Sequence, residues 1–553
     1  MNALTEKIVL LPLATFAPLD WGIIALYLGG MVLIGHVVGR KKTDAKGYFL
    51  GERSSPTWAV VLSIIATSLS AATFLGAPQE AFRGDLTYLI LNVGNFIGVV
   101  IVAAIFIPRF YAAGTVTIYG YLKRRFGEPA RIATSAMFLL GRFLASGARL
   151  FMAAGPVCLL LFHGSKPGAG PTQGQQIMAI LLIGVIGIAY TVSGGIRAVI
   201  WTDSAQIIIV AGAALLSICL LLHKIPLPVN QLIHELARPG TGVNGGGKLH
   251  WLDLSFNPFD LTKKYTLWVA LFSTTFSGVA AYGVDHDLVQ RMLTAKSAWR
   301  GSFSVVAAQV LGMIVAAMFM AIGLLLYVYY RRPDLMGAAA PTQALSGSPY
   351  IYAEFLLTLP SGLAGIAMAG LFAAAQGSLD SAINAMASSA VADVYWPIRR
   401  MRGLAVDTGT RAPRLAVGLM GTLLIGFAIA CVFLYDDKHD TLLSFALEIM
   451  AFAYTGMLGV FLTALLTRRG NNVSVLCALV VGVVVTALMR ETICDWWTLR
   501  LLGRARHVSN FWAMTVGTPI SFLVCCAGGR SGSARRGEEQ ETVALERGGG
   551  AKM

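Results

Sequence analysis

The chain has 553 residues, of which 56% are hydrophobic and only 13% charged, and it carries a formal charge of +15. So little charge cannot cover a soluble surface of this size, and repeated apolar runs long enough to cross a hydrocarbon core make it a polytopic membrane protein. The Lys and Arg residues fall between those runs and in the tail rather than on one basic face, which argues against nucleic acid as a partner and reads as topological charge.

In chain order, the pattern predicts about thirteen spans, near 18–38, 57–81, 86–112, 132–162, 175–193, 199–223, 266–284, 302–331, 362–395, 415–436, 441–467, 471–489 and 509–527. The first run lacks the basic leader and small-residue cleavage site of a secretory signal peptide and is read as a span. Three basic connections, "GRKKTDAKGYFLGERSS", "YLKRRFGEPAR" and "PIRRMRGLAVDTGTRAPR", face the cytoplasm by the positive-inside rule. An odd number of spans then places the N-terminus outside and the C-terminus in the cytoplasm. One connection opposes this: "RETICDWWTLRLLGRARH" is expected outside yet holds Arg490, Arg500, Arg504 and Arg506. The stretch 224–265, rich in Pro and Gly, reads as an external loop with a short helix. The polar, Gly-rich tail after 527 reads as disordered. Seven cysteines, mostly inside apolar runs and without metal-ligand spacing, indicate neither a disulfide framework nor a zinc site. The Cys525–Cys526 pair that ends the last run is a candidate for acylation.

The second span contains "ATSLSAATFLGAP" at 66–78, which sets Thr67, Ser68, Ser70 and Thr73 beside the helix breakers Gly76 and Pro78. Two readings stand: the hydroxyls bond back to their own helix, or the helix is broken and frees carbonyls that take a desolvated sodium ion. The seventh span, "TLWVALFSTTFSGVAAYGV", is expected to be interrupted midway in the same manner. Paired broken helices in corresponding positions point to an inverted-repeat transporter with a site at the midplane.

In the ninth span, "GLFAAAQGSLDSAINAMASSAVADVYWP", Ala374, Gly377, Ser378, Asp380 and Ser381 share roughly 160 degrees of one helix. Asp380 lies near the expected bilayer midpoint, where an ionised group costs about 2.5 to 3.5 kcal/mol unless compensated. It is either a functional group, a structural ion pair or a protonated acid. Arg142 lies about 16 Å inside the fourth span, too deep to snorkel. Its fork suits a solute carboxylate, and the alternatives are pairing with Asp380 or with backbone carbonyls. Arg149 is a weaker candidate of the same kind. Asp203, in "GGIRAVIWTDSAQ", is either a site residue or an interfacial Asp.

The motifs "ATSLSAATFLGAP", "YLKRRFG", "YTVSGGIRAVIWTD", "DLVQRML" and "FAAAQGSLDSAINA", in that order from the first span to about 465, resemble the sodium:solute symporter family, with the bacterial sialic acid symporters as the nearest branch. The resemblance implies an all-α, leucine-transporter-type fold of about thirteen helices. The N-terminal extra span and basic loop would occupy 1–55, the first five-helix repeat 56–225, the external loop 226–265 and the second, inverted repeat 266–467. Two additional spans would follow at 468–527, with the cytoplasmic tail at 528–553. It further implies a sodium site at the backbone oxygens of Ala66, Leu69 and Ala374 and the hydroxyl of Ser378, with Gly377 standing where the family has a hydroxyl. A second sodium site would involve Asp203, Asp380 and Ser381, with Asp380 standing where sialic acid members have Ser. Ser70, Thr73, Tyr88, Asn92 and Arg142 match substrate positions.

The expected activity is symport: sodium, as coupling ion, drives uptake of a small organic solute such as sialic acid or another carboxylated sugar across the cytoplasmic membrane, with no other cofactor. Neither a phosphate-binding glycine loop, nor HExxH, nor a nucleophile elbow suggests an enzyme. Two alternatives remain at this level: the same fold coupled to protons through Asp380, and a membrane sensor that binds solute without moving it.

Overall fold

In hydrocarbon the backbone must bond to itself, and helices do this within each segment. The computed structural model describes residues 17–40, 43–161, 172–255, 262–341, 351–406, 409–434, 442–502, 508–509 and 512–529, and these form helices with no β-strand among them. The tail after 529, and Arg504 and Arg506 in the conflicting loop, lie outside the described residues.

The first half runs α1 (Pro18–Gly39), α2 (Thr57–Ser68), α3 (Ala71–Arg83), α4 (Thr87–Ala113), α5 (Glu128–Leu161) and α6 (Gln173–Lys224), followed by the short α7 (Val229–Ala237) in the long connection. Next come α8 (Val269–Gly283), α9 (His286–Leu293), α10 (Ala298–Arg331), α11 (Leu363–Ser389), α12 (Arg411–Leu434) and α13 (Leu442–Leu466). The chain finishes with α14 (Asn472–Leu488), α15 (Glu491–Leu502) and α16 (Trp512–Ala527). Among the described residues seven helices are long and apolar enough to cross a membrane, or nine if two bent pairs each count as one span.

Three details depart from the sequence reading. The runs 175–193 and 199–223 form one stretch of helix, α6, turned at Gly195, whose φ of 57° and ψ of −150° no side chain adopts easily. The turn is held by Tyr48, whose hydroxyl donates to the carbonyls of Thr191 and Val192 at 3.1 Å each. The second span does break, with a bend of 61°, but at Leu69–Ser70, both extended, while Gly76 and Pro78 lie within α3. The seventh span is not interrupted midway: Val269–Thr274 form a wide π turn that runs on into helix, and the break falls at Val284–Asp285, between α8 and α9. Asp285 explains its position, because its carboxylate accepts from the Asp287 amide at 2.9 Å and so caps α9. Beyond these three, Glu491–Leu502 in the last connection are helical, α15 bending 80° from α14.

At the centre stands α11, buried on nearly every face and packed against α1, α5, α6 and α12. Its N-terminus is capped from α1: the buried carboxylate of Asp20 accepts from the amides of Gly362 and Gly365 at 2.7 and 2.8 Å, where a negative group meets free amides and the positive end of the helix dipole. Close approach between α4 and α8 depends on Gly94, where an added Cβ would come within 1.8 Å of the Ala270 carbonyl oxygen.

Candidate functional site

The break in the second span falls among its own hydroxyls. Thr67 Oγ1 donates to the Ser63 carbonyl at 2.8 Å and Ser68 Oγ to that of Ile65 at 2.9 Å, so the last turn of α2 is closed by side chains. The ladder ends with the Leu69 amide on Ile65 O, and a new one starts with the Thr73 and Phe74 amides on Ser70 O. The carbonyls of Ala66 and Leu69 thus fall between two ladders. Of the two sequence readings, the back-bonding of Thr67 and Ser68 is present, and the break falls beside them.

The small face of α11 lies opposite. An added Cβ on Gly377 would sit 3.3 Å from the Ala66 carbonyl oxygen, and Thr67 Oγ1 meets Ser381 Oγ at 3.1 Å. Ser378 is buried and contacts the Ala375 carbonyl of its own helix at 3.4 Å. Ala66, Leu69, Ala374 and Ser378 are all buried.

Beside this face runs a chain of buried charge. Arg291, wholly buried on α9, donates from Nε to Ser63 Oγ at 2.9 Å, from Nη2 to Asp203 Oδ2 at 3.2 Å and to Ser381 Oγ, and from Nη1 to Asp287 Oδ1 at 2.9 Å. Ser63 Oγ donates in turn to Asp203 Oδ2 at 2.5 Å. Arg142 pairs with Asp285 at 2.9 Å and also with Asp287, and Tyr454 donates to Asp285. Asp203 is thus fully buried within the protein rather than interfacial. Arg142 is held by two carboxylates of the second break, not by Asp380 or by backbone carbonyls. Arg149, two turns further on α5 and half-buried, makes no hydrogen bond or ion pair among the described residues, although it lies within the field of Arg142 and Asp285.

Asp380 makes no ion pair among the described residues. Its Oδ1 accepts from the Ser381 amide at 2.6 Å, and its Oδ2, like Asp203 Oδ1 and Gln206 Oε1, is buried without a hydrogen-bond partner. A buried carboxylate oxygen with no donor, the Tyr190 hydroxyl standing nearby, calls for a cation or a proton.

Of the residues matched to substrate positions, Ser70 is the buried N-cap of α3 and Thr73 lies in its first turn. Tyr88 and Asn92 open α4: Tyr88 packs edge-on to Tyr265 with ring centres 5.5 Å apart, and Asn92 Nδ2 donates to the Leu89 carbonyl at 3.2 Å. Neither has a hydrogen bond to Arg142 or Ser70 among the described residues. The sequence reading named "DLVQRML" but none of the residues in or beside it; Asp285, Asp287 and Arg291, three charges in seven residues of a largely apolar region, were the available signal.

A sequence profile of the sodium:solute symporter family matches residues 48–482. The Proteus mirabilis sodium/sialic acid symporter SiaT is 25% identical over 487 residues, covering 86% of this chain and 90% of that one. The mouse sodium-coupled monocarboxylate transporter 1 is 27% identical over 462 residues, covering 82% and 70%. A solved Na+-coupled sialic acid symporter, in a substrate-bound outward-open state, superposes with a TM-score of 0.75 at 23% identity, covering 93% of this chain and 98% of that one. The fold is therefore that of a membrane symporter, and the relatives are transporters rather than enzymes. With more than half its length matched by the family profile, the chain belongs to the sodium:solute symporter family.

Proposed function

We propose that this protein takes up a small carboxylated solute, sialic acid or a similar acid sugar, in symport with sodium. Coupling to sodium is supported by one observation above the others: Asp380 and Asp203 each present a buried oxygen without a partner, Asp203 being bonded to Ser63 of α2 and Asp380 adjoining Ser381, which meets Thr67 next to the Leu69–Ser70 break. Hard oxygen donors beside a broken helix suit sodium. The ion is assigned to Ala66, Leu69, Ala374 and Ser378, and a second to Asp203, Asp380 and Ser381, where the Arg291 guanidinium shares Asp203 and Ser381 in this conformation.

The solute is assigned to Ser70, Thr73, Tyr88 and Asn92 with a guanidinium of α5 for its carboxylate. Arg142 is the residue that the resemblance gives, but its fork is taken by Asp285 and Asp287, so Arg149 is assigned the carboxylate and Arg142 the task of holding the second break in place. The helices are read as about thirteen spans with two inverted five-helix repeats, the N-terminus outside the cell membrane and the C-terminus inside.

Because a lone buried carboxylate oxygen accepts a proton as readily as a cation, proton coupling through Asp380 is the second reading. Proteoliposomes separate the two. Accumulation of labelled sialic acid driven by an inward sodium gradient at equal pH supports the first, whereas accumulation driven by a pH gradient without sodium supports the second. A panel of neutral sugars and amino acids taken up in preference would overturn the substrate class.

A further inference from the structure

Glu52 and Arg53, at φ of 56° and 51°, are the two non-glycine residues with positive φ among the described residues. They follow Gly51 at 59°, so three successive residues hold a left-handed backbone just before α2. Residues with a Cβ are disfavoured there, and such strain persists only where the surroundings over-determine it. Here they do. Arg197, two residues past the turn of α6, donates from Nη2 to Ser54 Oγ at 2.9 Å and pairs with Glu52 at 3.5 Å. The Arg53 guanidinium lies 4.9 Å over the ring of Tyr111, near the end of α4. The Tyr111 hydroxyl donates to the carbonyls of Met292 and Ala295 at 2.8 Å each, and the Ser55 amide to that of Thr294 at 3.2 Å. Ser55, Thr294 and Ala295 are buried. Both α2 and α9 have one end at a break, Leu69–Ser70 or Val284–Asp285; their other ends are the ones clasped here.

We propose that Gly51–Ser55 is a strained strap that holds the cytoplasmic ends of α2 and α9 to each other and to α6, and relaxes to an ordinary backbone when that end opens. It rests on the transport reading and on its topology, which puts the connection "GRKKTDAKGYFLGERSS" in the cytoplasm. Separating α2 from α9 breaks the Ser55–Thr294 bond, and moving it from α6 breaks the contacts of Arg197. Strain held in the closed state narrows its advantage over the open one. The pins Arg197, Tyr111 and Thr294 thus keep closed what the backbone of Glu52 and Arg53 favours open.

The test reads opening as the rate at which a membrane-impermeant maleimide modifies Ser55→Cys in inside-out vesicles, the labelled peptide being quantified by mass spectrometry. On that background Glu52→Ala and Glu52→Gly both delete the pair with Arg197, but only glycine relieves the left-handed backbone. Glu52→Gly is therefore expected to label about fivefold more slowly than Glu52→Ala. Tyr111→Phe, which keeps the ring under Arg53 and removes the bonds to Met292 and Ala295, should label faster than Ser55→Cys alone. Should Ser55→Cys fail to fold, deuterium uptake at the Ser55 amide gives the same Glu52 comparison in the otherwise unmodified chain. Equal rates for Glu52→Ala and Glu52→Gly overturn the stored strain, and absence of labelling from either side while transport proceeds overturns the opening. Labelling confined to right-side-out vesicles overturns the cytoplasmic placement. None of these comparisons needs sodium or sialic acid, so failure of sodium-driven accumulation would sink the proposed function separately.

Discussion

Arg142 and Arg149 stand seven residues apart on α5 in different company, and that difference gives opposite expectations for their loss. Removing Arg142 leaves Asp285 without a charged partner and Asp287 with Arg291 alone inside the membrane; breaking a buried pair costs about 3 to 5 kcal/mol, so Arg142→Leu should lower folded yield and melting temperature before any question of transport. Arg149→Leu breaks no ion pair among the described residues and should fold normally, while weakening binding of sialic acid far more than that of a neutral sugar. Equal binding of the acid by Arg149→Leu and the unmodified protein, measured by calorimetry, would return the carboxylate to Arg142. For Asp380→Asn the absence of an ion pair removes the expectation of a folding defect. A sodium ligand lost there should weaken sodium affinity at every pH, and normal affinity in the folded variant would leave Asp380 as a proton carrier. Ser378→Ala, which removes one hydroxyl from the face opposite Ala66, should raise the sodium concentration for half-maximal uptake without loss of protein in the membrane.

At the scale of the element, the two breaks and the turn in α6 decide which groups meet. Ser and Thr were visible in the sequence as helix-modifying residues, and the first break falls among them. Its position was less legible, because Gly76 and Pro78 have the stronger local tendency to interrupt a helix and yet are carried inside α3. Tertiary packing overrides that tendency: α10 lies so close to α3 that an added Cβ at Gly323 would reach within 2.0 Å of the Pro78 carbonyl oxygen. The turn at Gly195 has a checkable cost. A Cβ there would come within 2.5 Å of the Tyr48 carbonyl oxygen in a backbone conformation that only glycine adopts easily, so Gly195→Ala should lose about 1 to 3 kcal/mol and show a lower melting temperature. An unchanged melting temperature would mean that the short helix Ala45–Leu50 does not hold this turn.

Across the whole molecule the long connection after α6 is anchored by one lysine. Lys248 is 2% exposed, donates to the carbonyls of Ala81, Phe82 and Gly84 at 3.2, 2.8 and 2.6 Å, and lies 4.2 Å over the Tyr327 ring, so it ties the loop to the end of α3 and to α10. Burial pushes its ammonium down to about 8, against the pull of Asp85. In the unfolded chain the value is about 10.4, so between about pH 8 and 10 the unfolded chain binds more protons and stability contributed by this group rises with pH. Melting temperatures of the unmodified protein and Lys248→Met should therefore differ in slope over that window, the variant lacking the rise. Parallel curves would show that the ammonium titrates at its ordinary value.

The sequence by itself determined the membrane class, the approximate helix positions and the family, because a span needs a long apolar run and the family motifs are local strings such as "YTVSGGIRAVIWTD". It also singled out Asp203, Asp380 and Arg142, since a charge inside an apolar run is conspicuous wherever it ends up. Only the tertiary structure decided who pairs with whom: that Arg142 meets Asp285 and Asp287, that Arg291 joins Asp203 to Ser381, and that Gln206 faces Gly377. Those partners come from helices far apart in the chain, and the energy of a buried charge depends on what stands beside it in space, which no local pattern of residues records.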